Sequence, residues 1–161
     1  MPTDIREFQS ADAEQVEHCI TALQDYERRI DIRCLPGHAV RGWYLTYLQS
    51  ECAAKQGKIL VAEVDGEIAG FVAVQARVPS EDNDEEAYEY AYISDVAVLE
   101  AHRNKGIGRA LIAAAEGFAV DAGARWLRIS VLAQNPIARP LYERCGFSER
   151  VVEFEKDLPS G

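Results

Sequence analysis

The sequence predicts a single α/β domain, near the border with α+β, built on a mixed sheet. Two β-rich runs joined by Asp65-Gly66 indicate an antiparallel hairpin, because Asp-Gly tolerates the positive φ of a tight turn. Further along, a strand, a helix and a second strand across residues 89–131 favour a parallel pair, since such a crossover joins parallel neighbours. A sheet that contains both kinds of pairing is mixed.

The first third of the chain predicts one strand and two helices. The opening IREFQ alternates apolar and polar residues, as a short strand does. Asp12 is a candidate N-cap for a helix whose apolar residues continue to Leu23. A second helix is expected from about Ala39 to Gln56, closed by Gly57.

The remainder alternates strands with two more helices. KILVAEV and EIAGFVAVQA form the hairpin, the acidic run 81–89 follows, and YAYISDVAV is the next strand. A helix from about Gly106 to Ala122, a strand WLRISVLA and a helix over 137–145 come next. Pro140 should lie in the first turn of that helix, because an interior proline loses a hydrogen bond. FSERVVEFEKDL is expected to be a last strand, so the order is β-α-α-β-β-β-α-β-α-β.

Length, composition and charge exclude several classes of protein. The 161 residues fit one domain, and 48% hydrophobic with 27% charged residues is ordinary for a soluble protein. A net charge of −10 argues against binding nucleic acid or anionic lipid. No apolar run approaches the ~18 to 20 residues of a membrane span, and the N-terminus lacks a signal-peptide pattern. We therefore expect a cytoplasmic protein.

The cysteines predict neither a metal site nor disulfides. They show no paired spacing and no companion histidine pattern, so zinc is not expected and reduced thiols are. The four positions are Cys19, Cys34, Cys52 and Cys145.

A basic, glycine-containing turn, HRNKGIGRAL over 102–111, predicts a bound anion. Its key residues are Arg103, Lys105, Gly106, Gly108 and Arg109. The first N–H groups of a helix lack acceptors, glycine lets the backbone approach an anion, and the basic side chains add countercharge. A Walker A loop is absent, and the dinucleotide fingerprint fails because Leu111 stands where a small residue is needed.

Two stretches carry a resemblance to a known family. YISDVAVLEAHRNKGIGRALI resembles the acetyl-CoA-binding motif of the GNAT superfamily, the Gcn5-related N-acetyltransferases. NPIARPLYERCGF resembles that family's N-x-x-A-x-x-L-Y-E-x-x-G-F segment. The resemblance covers roughly residues 58–156. It implies a GNAT fold: a mixed, mostly antiparallel sheet of six to seven strands with a central, splayed parallel pair, flanked by about four helices.

The resemblance implies acetyl-CoA as co-substrate, held in the cleft between the splayed strands, and no metal. The pantetheine amides would pair with strand backbone, and the glycine turn would hold the pyrophosphate. Asn135 would contact the pantetheine arm or hold nearby backbone. The implied coenzyme-binding residues are Val96, Ala97, Val98, Arg103, Asn104, Lys105, Gly106, Ile107, Gly108, Arg109, Asn135 and Tyr142.

The implied reaction is direct acetyl transfer to a primary amine in a ternary complex. The resulting oxyanion needs a donor and the departing thiolate needs an acid. By resemblance, the N–H near Val96 is the oxyanion donor and Tyr142 protonates the thiolate.

The general base stays open at this point. Family members commonly have glutamate where this chain has Ser94, so Asp95 is the first candidate, with Glu89, Tyr92 or a water chain as alternatives. Strand alternation places Ile93 and Asp95 on one face and their neighbours on the other, unless a bulge intervenes.

The sequence therefore predicts an N-acetyltransferase acting on a small primary amine. The acidic run 81–89 would favour cationic acceptors. The alternatives are a peptide or protein acceptor, a different acyl donor, or a non-catalytic acyl-CoA-binding sensor domain. By analogy with the family, a homodimer could form through the last strand.

Overall fold

Five strands form one mixed sheet in the computed structural model, which describes residues 2–160. The strands are β1 (Asp4–Glu7), β2 (Lys58–Val64), β3 (Glu67–Pro79), β4 (Glu89–Val98) and β5 (Leu127–Ile129). They lie across the sheet in chain order; β4 and β5 are parallel and the other neighbours antiparallel. The mixed, mostly antiparallel sheet is confirmed. The expected six to seven strands are five, and the parallel pair lies at the edge of the sheet.

Helices cover both faces of this sheet. They are α1 (Ala13–Ile30), α2 (Gly37–Val40), α3 (Tyr44–Ala54), α4 (Ile107–Asp121) and α5 (Ala138–Arg144). Among the described residues, no helix has both the length and the apolar character needed to cross a membrane.

Strand β3 explains why both faces are covered. Every residue from Ile68 to Ala76 is buried, so neither face of this strand can meet water. Phe71 and Ala73 pack in one core with α1 and α3, whereas Val72 and Val74 pack in a second core with α4. We call these two sides of the sheet the α1/α3 face and the α4 face.

The N-terminal helices differ from their predicted bounds. The helix expected over 39–56 is two helices, because Gly42 between them takes a φ of +87°, in the left-handed region. Helix α1 continues to Ile30, well past Leu23. Asp12 precedes α1 as expected but does not cap it, since its carboxylate accepts hydrogen bonds from Arg6 and from an upstream N–H.

The C-terminal helices match their prediction closely. Helix α4 agrees with the expected range within one residue at each end, and α5 does the same. Pro140 lies in the first turn of α5, where its missing N–H has no intrahelical acceptor to lose.

The predicted last strand is wrong. Residues 148–160, here called the C-terminal segment, contain no strand, because their backbone meets no partner strand within residues 2–160. Strand β5 is also shorter than the expected WLRISVLA, since it ends where β4 diverges from it.

Candidate active site

A cleft opens where β4 and β5 separate. The two strands pair from Ala91 and Leu127 to Ile93 and Ile129, and beyond that point residues 94–98 run beside β3 alone. The resulting cleft has a volume of about 790 Å³ and is walled by α1, the 102–109 turn and α5. The parallel pair therefore splays as the resemblance implied.

A bulge in β4 redirects its acidic side chain. In the register with β3, Ala73 faces Asp95 but Val74 faces Ile93, so Ser94 is the extra residue. Ile93 consequently packs in the core of the α4 face, whereas Asp95 reaches the α1/α3 face, where it meets α3. The sequence predicted that these two side chains share a face unless a bulge intervenes, and the bulge at Ser94 is that exception.

Asp95 lines the cleft beside α3. The hydroxyl of Tyr44, from α3, donates to its Oδ1 at 2.9 Å. Its Oδ2 is buried and accepts no hydrogen bond within residues 2–160. Burial raises the pKa of Asp95 to about 7, although the Tyr44 hydrogen bond opposes the rise. A carboxylate with this pKa can exchange a proton near neutrality.

A second carboxylate, Glu27 from α1, also lines the cleft. Burial raises its pKa as well. Sequence reasoning missed this residue, although a signal was present. Glu27 continues the spacing of Cys19, Ile20 and Leu23, which line the same cleft from α1, so a carboxylate stands on the apolar stripe of an amphipathic helix.

The edge of β4 presents unpaired backbone groups to the cleft. Beyond the strand, Leu99 N–H donates to Ala69 of β3 at 2.8 Å. Because antiparallel neighbours alternate, the backbone of Ala97 also faces β3, whereas Val96 and Val98 turn their N–H and C=O toward the cleft. Of the three residues implied for the pantetheine arm, Val96 therefore offers a free N–H and C=O to the cleft, whereas the Val98 C=O already accepts a hydrogen bond from Arg103 Nε at 3.3 Å.

The glycine turn leaves helical N–H groups free. Asn104 and Gly106 take left-handed conformations, with φ of +62° and +80°, and α4 begins at Ile107 without a side-chain cap. Ala110 is the first residue here whose N–H makes a helical hydrogen bond; it donates to the C=O of Gly106 at 3.0 Å. The preceding N–H groups, with the positive end of the helix dipole, form an anion-binding position.

The basic side chains of the turn separate into two groups. Arg103 and Arg109 line the cleft, and the guanidinium of Arg103 lies 5.4 Å from the ring centroid of Tyr26. Lys105 does not line the cleft; its ammonium is exposed and bonds to the backbone of the preceding turn.

Helix α5 brings the predicted acid to the cleft. Asn135 is buried, and its Oδ1 accepts the N–H groups of Ile137 and Ala138 at 3.1 and 2.9 Å, which fixes the start of the helix. Of the two roles left open for Asn135, holding nearby backbone is the one seen. Tyr142, one turn further, lines the cleft. Burial, with the nearby carboxylates, raises its pKa, so its hydroxyl keeps its proton.

The alternative bases lie outside the cleft. Glu89 is exposed at the start of β4. Tyr92 donates to the hydroxyl of Ser130 at 3.1 Å, where the strands part, and does not line the cleft. Within the described residues, no three His, Cys, Asp or Glu side chains form a group suited to a metal ion.

Comparison with known proteins finds relatives that are named as acetyltransferases. The chain is 32% identical over 112 residues to an aminoglycoside N(6')-acetyltransferase type 1 of Stenotrophomonas maltophilia, covering 68% of this chain and 72% of that protein. It is 40% identical over 68 residues to the uncharacterized N-acetyltransferase YycN of Bacillus subtilis, covering 42% and 44%. Streptothricin acetyltransferase of Streptomyces lavendulae is 37% identical over 84 residues, covering 52% and 40%. The match thus spans less than half the length of two of these relatives.

Solved structures share the fold along almost the whole chain. A variant of the BH1408 protein of Bacillus halodurans superposes with a TM-score of 0.79 at 21% identity, covering 97% of this chain and 99% of that one. An aminoglycoside N-acetyltransferase in complex with CoA gives 0.67 at 20% identity, covering 96% and 100%. The family model described as the acetyltransferase (GNAT) family matches residues 21–147. The chain therefore belongs to the GNAT family of acetyltransferases.

Proposed function

We propose that this protein transfers the acetyl group of acetyl-CoA to a primary amine of a small cationic molecule, by direct attack in a ternary complex. One observation carries the proposal. A single cleft joins the free backbone donors of β4 and α4 to two carboxylates of raised pKa, Asp95 and Glu27. A thioester and an ammonium group need these two environments side by side.

The coenzyme end of the cleft suits the two polar parts of acetyl-CoA. The backbone groups of Val96 and the N–H of Val98 are placed to pair with pantetheine amides, as a strand pairs with a sheet edge. The free N–H groups at the start of α4, with Arg103 and Arg109, suit the pyrophosphate.

The proposed reaction assigns one proton to each titrating residue. The acceptor ammonium gives a proton to Asp95, and the neutral nitrogen attacks the thioester carbonyl carbon. The Val96 N–H stabilises the oxyanion as the N–C bond forms. The C–S bond then breaks as Tyr142, neutral because its pKa is raised, protonates the leaving thiolate, and the second proton of the attacking nitrogen passes to the Tyr142 oxygen, which leaves a neutral amide and the coenzyme thiol.

The acceptor end favours a small cationic amine over a peptide. Glu27 and Asp95 lie inside the cleft, where a carboxylate attracts an ammonium group more strongly than it does in solvent. Two relatives are named for acetylating aminoglycosides and streptothricin, which supports a small-molecule acceptor. The acidic run 81–89, which the sequence predicted to favour cationic acceptors, is largely exposed and contributes no residue to the cleft lining, so the proposed preference for a cationic acceptor does not rest on it.

Replacing Glu27 by Gln tests the acceptor class. We expect the KM for a cationic amine to rise about tenfold or more, because the ammonium group loses a carboxylate inside the cleft. The KM for acetyl-CoA should not change. Glu14→Gln, on the exposed side of the same helix, is the control and should behave as wild type. Equal KM values for the amine in both variants would contradict the placement of Glu27 in the acceptor site.

Replacing Tyr142 by Phe separates a catalyst from a sensor. We expect kcat to fall about 100-fold while the Kd for acetyl-CoA stays within a factor of about two, because the variant loses the acid but keeps the ring. Steady-state rates and calorimetry measure the two quantities. Unchanged turnover from low to high pH would contradict the assignment of Tyr142 as the acid.

The first experiment is calorimetric titration of the protein with acetyl-CoA, with adenosine 3′,5′-bisphosphate as the comparison. Binding of acetyl-CoA at micromolar Kd, with the nucleotide weaker, supports occupation of the whole cleft and justifies a screen of amines. Absence of binding would end the enzyme proposal, because every assigned residue acts on this coenzyme.

A further inference from the structure

The hydroxyl of Tyr44 is fixed on one oxygen of the Asp95 carboxylate. It donates to Oδ1 at 2.9 Å, and within residues 2–160 no second side chain donates to this carboxylate. The ring of Tyr44 packs against the core of the α1/α3 face, and the ring centroids of Trp43 and Tyr47 lie 5.6 and 5.8 Å from its own. Packing on several sides leaves the hydroxyl little freedom to move away from Asp95.

The same contact leaves the second carboxylate oxygen without a donor. Asp95 Oδ2 is buried and has no hydrogen-bond partner among the described residues, and neither does the buried Oγ of Ser94. A buried polar atom of this kind is costly unless a ligand completes its hydrogen bond. Because Asp95 lines the cleft, an ammonium group bound there can supply the missing donor.

The titratable groups that face Asp95 carry no positive charge. They are Tyr44 and the thiol of Cys52 from α3, Glu27 from α1, and Tyr142 from α5. Burial opposes ionisation of Asp95 most strongly, and the charge of Glu27 adds to that effect, whereas the Tyr44 hydrogen bond favours the carboxylate. Burial and the charge of Asp95 in turn raise the pKa of Tyr44, so its hydroxyl keeps its proton and stays a donor.

We propose that Tyr44 is a positioning residue for acetyl transfer, which holds Oδ1 of Asp95, stabilises the charged carboxylate and leaves Oδ2 to accept the proton of the acceptor ammonium. Tyr44 itself exchanges no proton in this scheme. The inference rests on the proposed function in one respect, because that function makes Asp95 the base. The effect of the hydrogen bond on the charge of Asp95 can be measured without any substrate.

Replacing Tyr44 by Phe removes the hydroxyl and keeps the ring. The wild-type kcat/KM should rise with pH through a pKa of about 7, and in the variant this step should lie about one pH unit higher or more, because a hydrogen bond to a charged group is lost. At about pH 6.5, kcat/KM should fall about tenfold, whereas above the new step it should return to within about threefold of wild type. Loss of packing alone would lower the rate equally at every pH and leave the step in place.

Tyr47→Phe is the matched control. Tyr47 lies on the same helix, and the substitution also removes one hydroxyl, which donates to Glu51 on the surface at 3.4 Å. The pH profile of this variant should match wild type. If Tyr44→Phe does not fold, a fluorotyrosine at position 44 replaces it, and its stronger hydroxyl donor should move the step to lower pH.

The pH dependence of stability tests the same hydrogen bond without a substrate. Burial raises the pKa of Asp95 to about 7 from 3.8, so the wild-type free energy of unfolding falls as pH rises between these values and then levels off. In Tyr44→Phe the fall should continue for about one more pH unit. Adding Tyr44→Phe to Asp95→Asn should not change the pH dependence of that variant, because the titrating group is gone.

The two measurements separate a failure of this inference from a failure of the proposed function. Movement of both the kinetic step and the stability profile supports the inference. A stability profile that does not move in Tyr44→Phe overturns it, whatever the kinetic step does, because Tyr44 then does not control the charge of Asp95. A stability profile that moves while the kinetic step stays in place upholds the hydrogen bond but contradicts the assignment of Asp95 as the base.

Discussion

Replacing Asp95 by Asn is expected to lower kcat/KM by about 10²- to 10⁴-fold at a pH above neutrality. The wild-type kcat/KM should rise with pH through an apparent pKa near 7, because burial raises the pKa of Asp95 to about 7 and only its ionised form accepts a proton. Asn keeps the shape and can still accept the Tyr44 hydrogen bond, but it has no proton-accepting oxygen of this basicity. The measurement is a pH profile of kcat/KM for both proteins.

The control is Asp84→Asn in the exposed acidic run, which should leave the profile unchanged. A wild-type profile without a step near 7, or an Asn variant with the wild-type rate, would require a different base. The water chain left open from the sequence would then be the first alternative.

Asp95→Asn can also be tested independently through the pH dependence of its stability. The pKa of Asp95 is about 7 in the folded protein against 3.8 for the free group, so the folded state binds more protons between these values. The free energy of unfolding therefore falls as pH rises through that window, by at most about 4 kcal/mol. Asp95→Asn has no charge to bury and should melt above wild type at pH values higher than 7. This gain should disappear below about pH 4.

Replacing Gly108 by Val is expected to raise the Kd for acetyl-CoA about tenfold or more, equivalent to about 1.4 kcal/mol. A Cβ at this position would stand 3.1 Å from Leu141 Cδ2 and 3.7 Å from Val98 Cγ2, between two residues that line the cleft. The added side chain also blocks close approach of an anion to the N–H groups at the start of α4. Calorimetry with acetyl-CoA measures the change.

Gly117→Val controls for the cost of a β-branched residue in the same helix. Gly117 is exposed, and a Cβ there would meet nothing within 4 Å. Both variants should lose a comparable helix propensity, whereas only Gly108→Val should lose coenzyme affinity. A Gly108→Val protein that melts like the control but binds acetyl-CoA as wild type would contradict the placement of the pyrophosphate at this turn.

Structural features that depend only on residues adjacent in the sequence could be predicted. Asp65-Gly66 takes positive φ values of 53° and 80° and joins β2 to β3, as a tight hairpin requires. The 102–109 turn leads into α4, and Pro140 lies in a first helical turn. In each case, the residues that define the feature also adopt it, so no distant contact was needed.

Features that depend on distant pairing could not be predicted. The bulge at Ser94 exists only in the register of β4 against β3, and Glu27 becomes a cleft residue only when α1 packs across β4. FSERVVEFEKDL has the composition of a strand, but a strand needs a neighbour, and within residues 2–160 this segment pairs with none. The local sequence pattern determines which secondary structures a segment can adopt, whereas pairing with distant segments determines which one it adopts.

The bulge at Ser94 makes the site depend on chain length as well as on residue type. On its N-terminal side, Ile93 belongs to the α4 face, and on its C-terminal side Asp95 belongs to the α1/α3 face. A substitution at Ser94 keeps each side chain of β4 on its present face of the sheet. Deleting one residue there would move every side chain on one side of the deletion to the opposite face. Homologues that differ by a single insertion or deletion in this strand would therefore present a different carboxylate to the acceptor, however similar their residues.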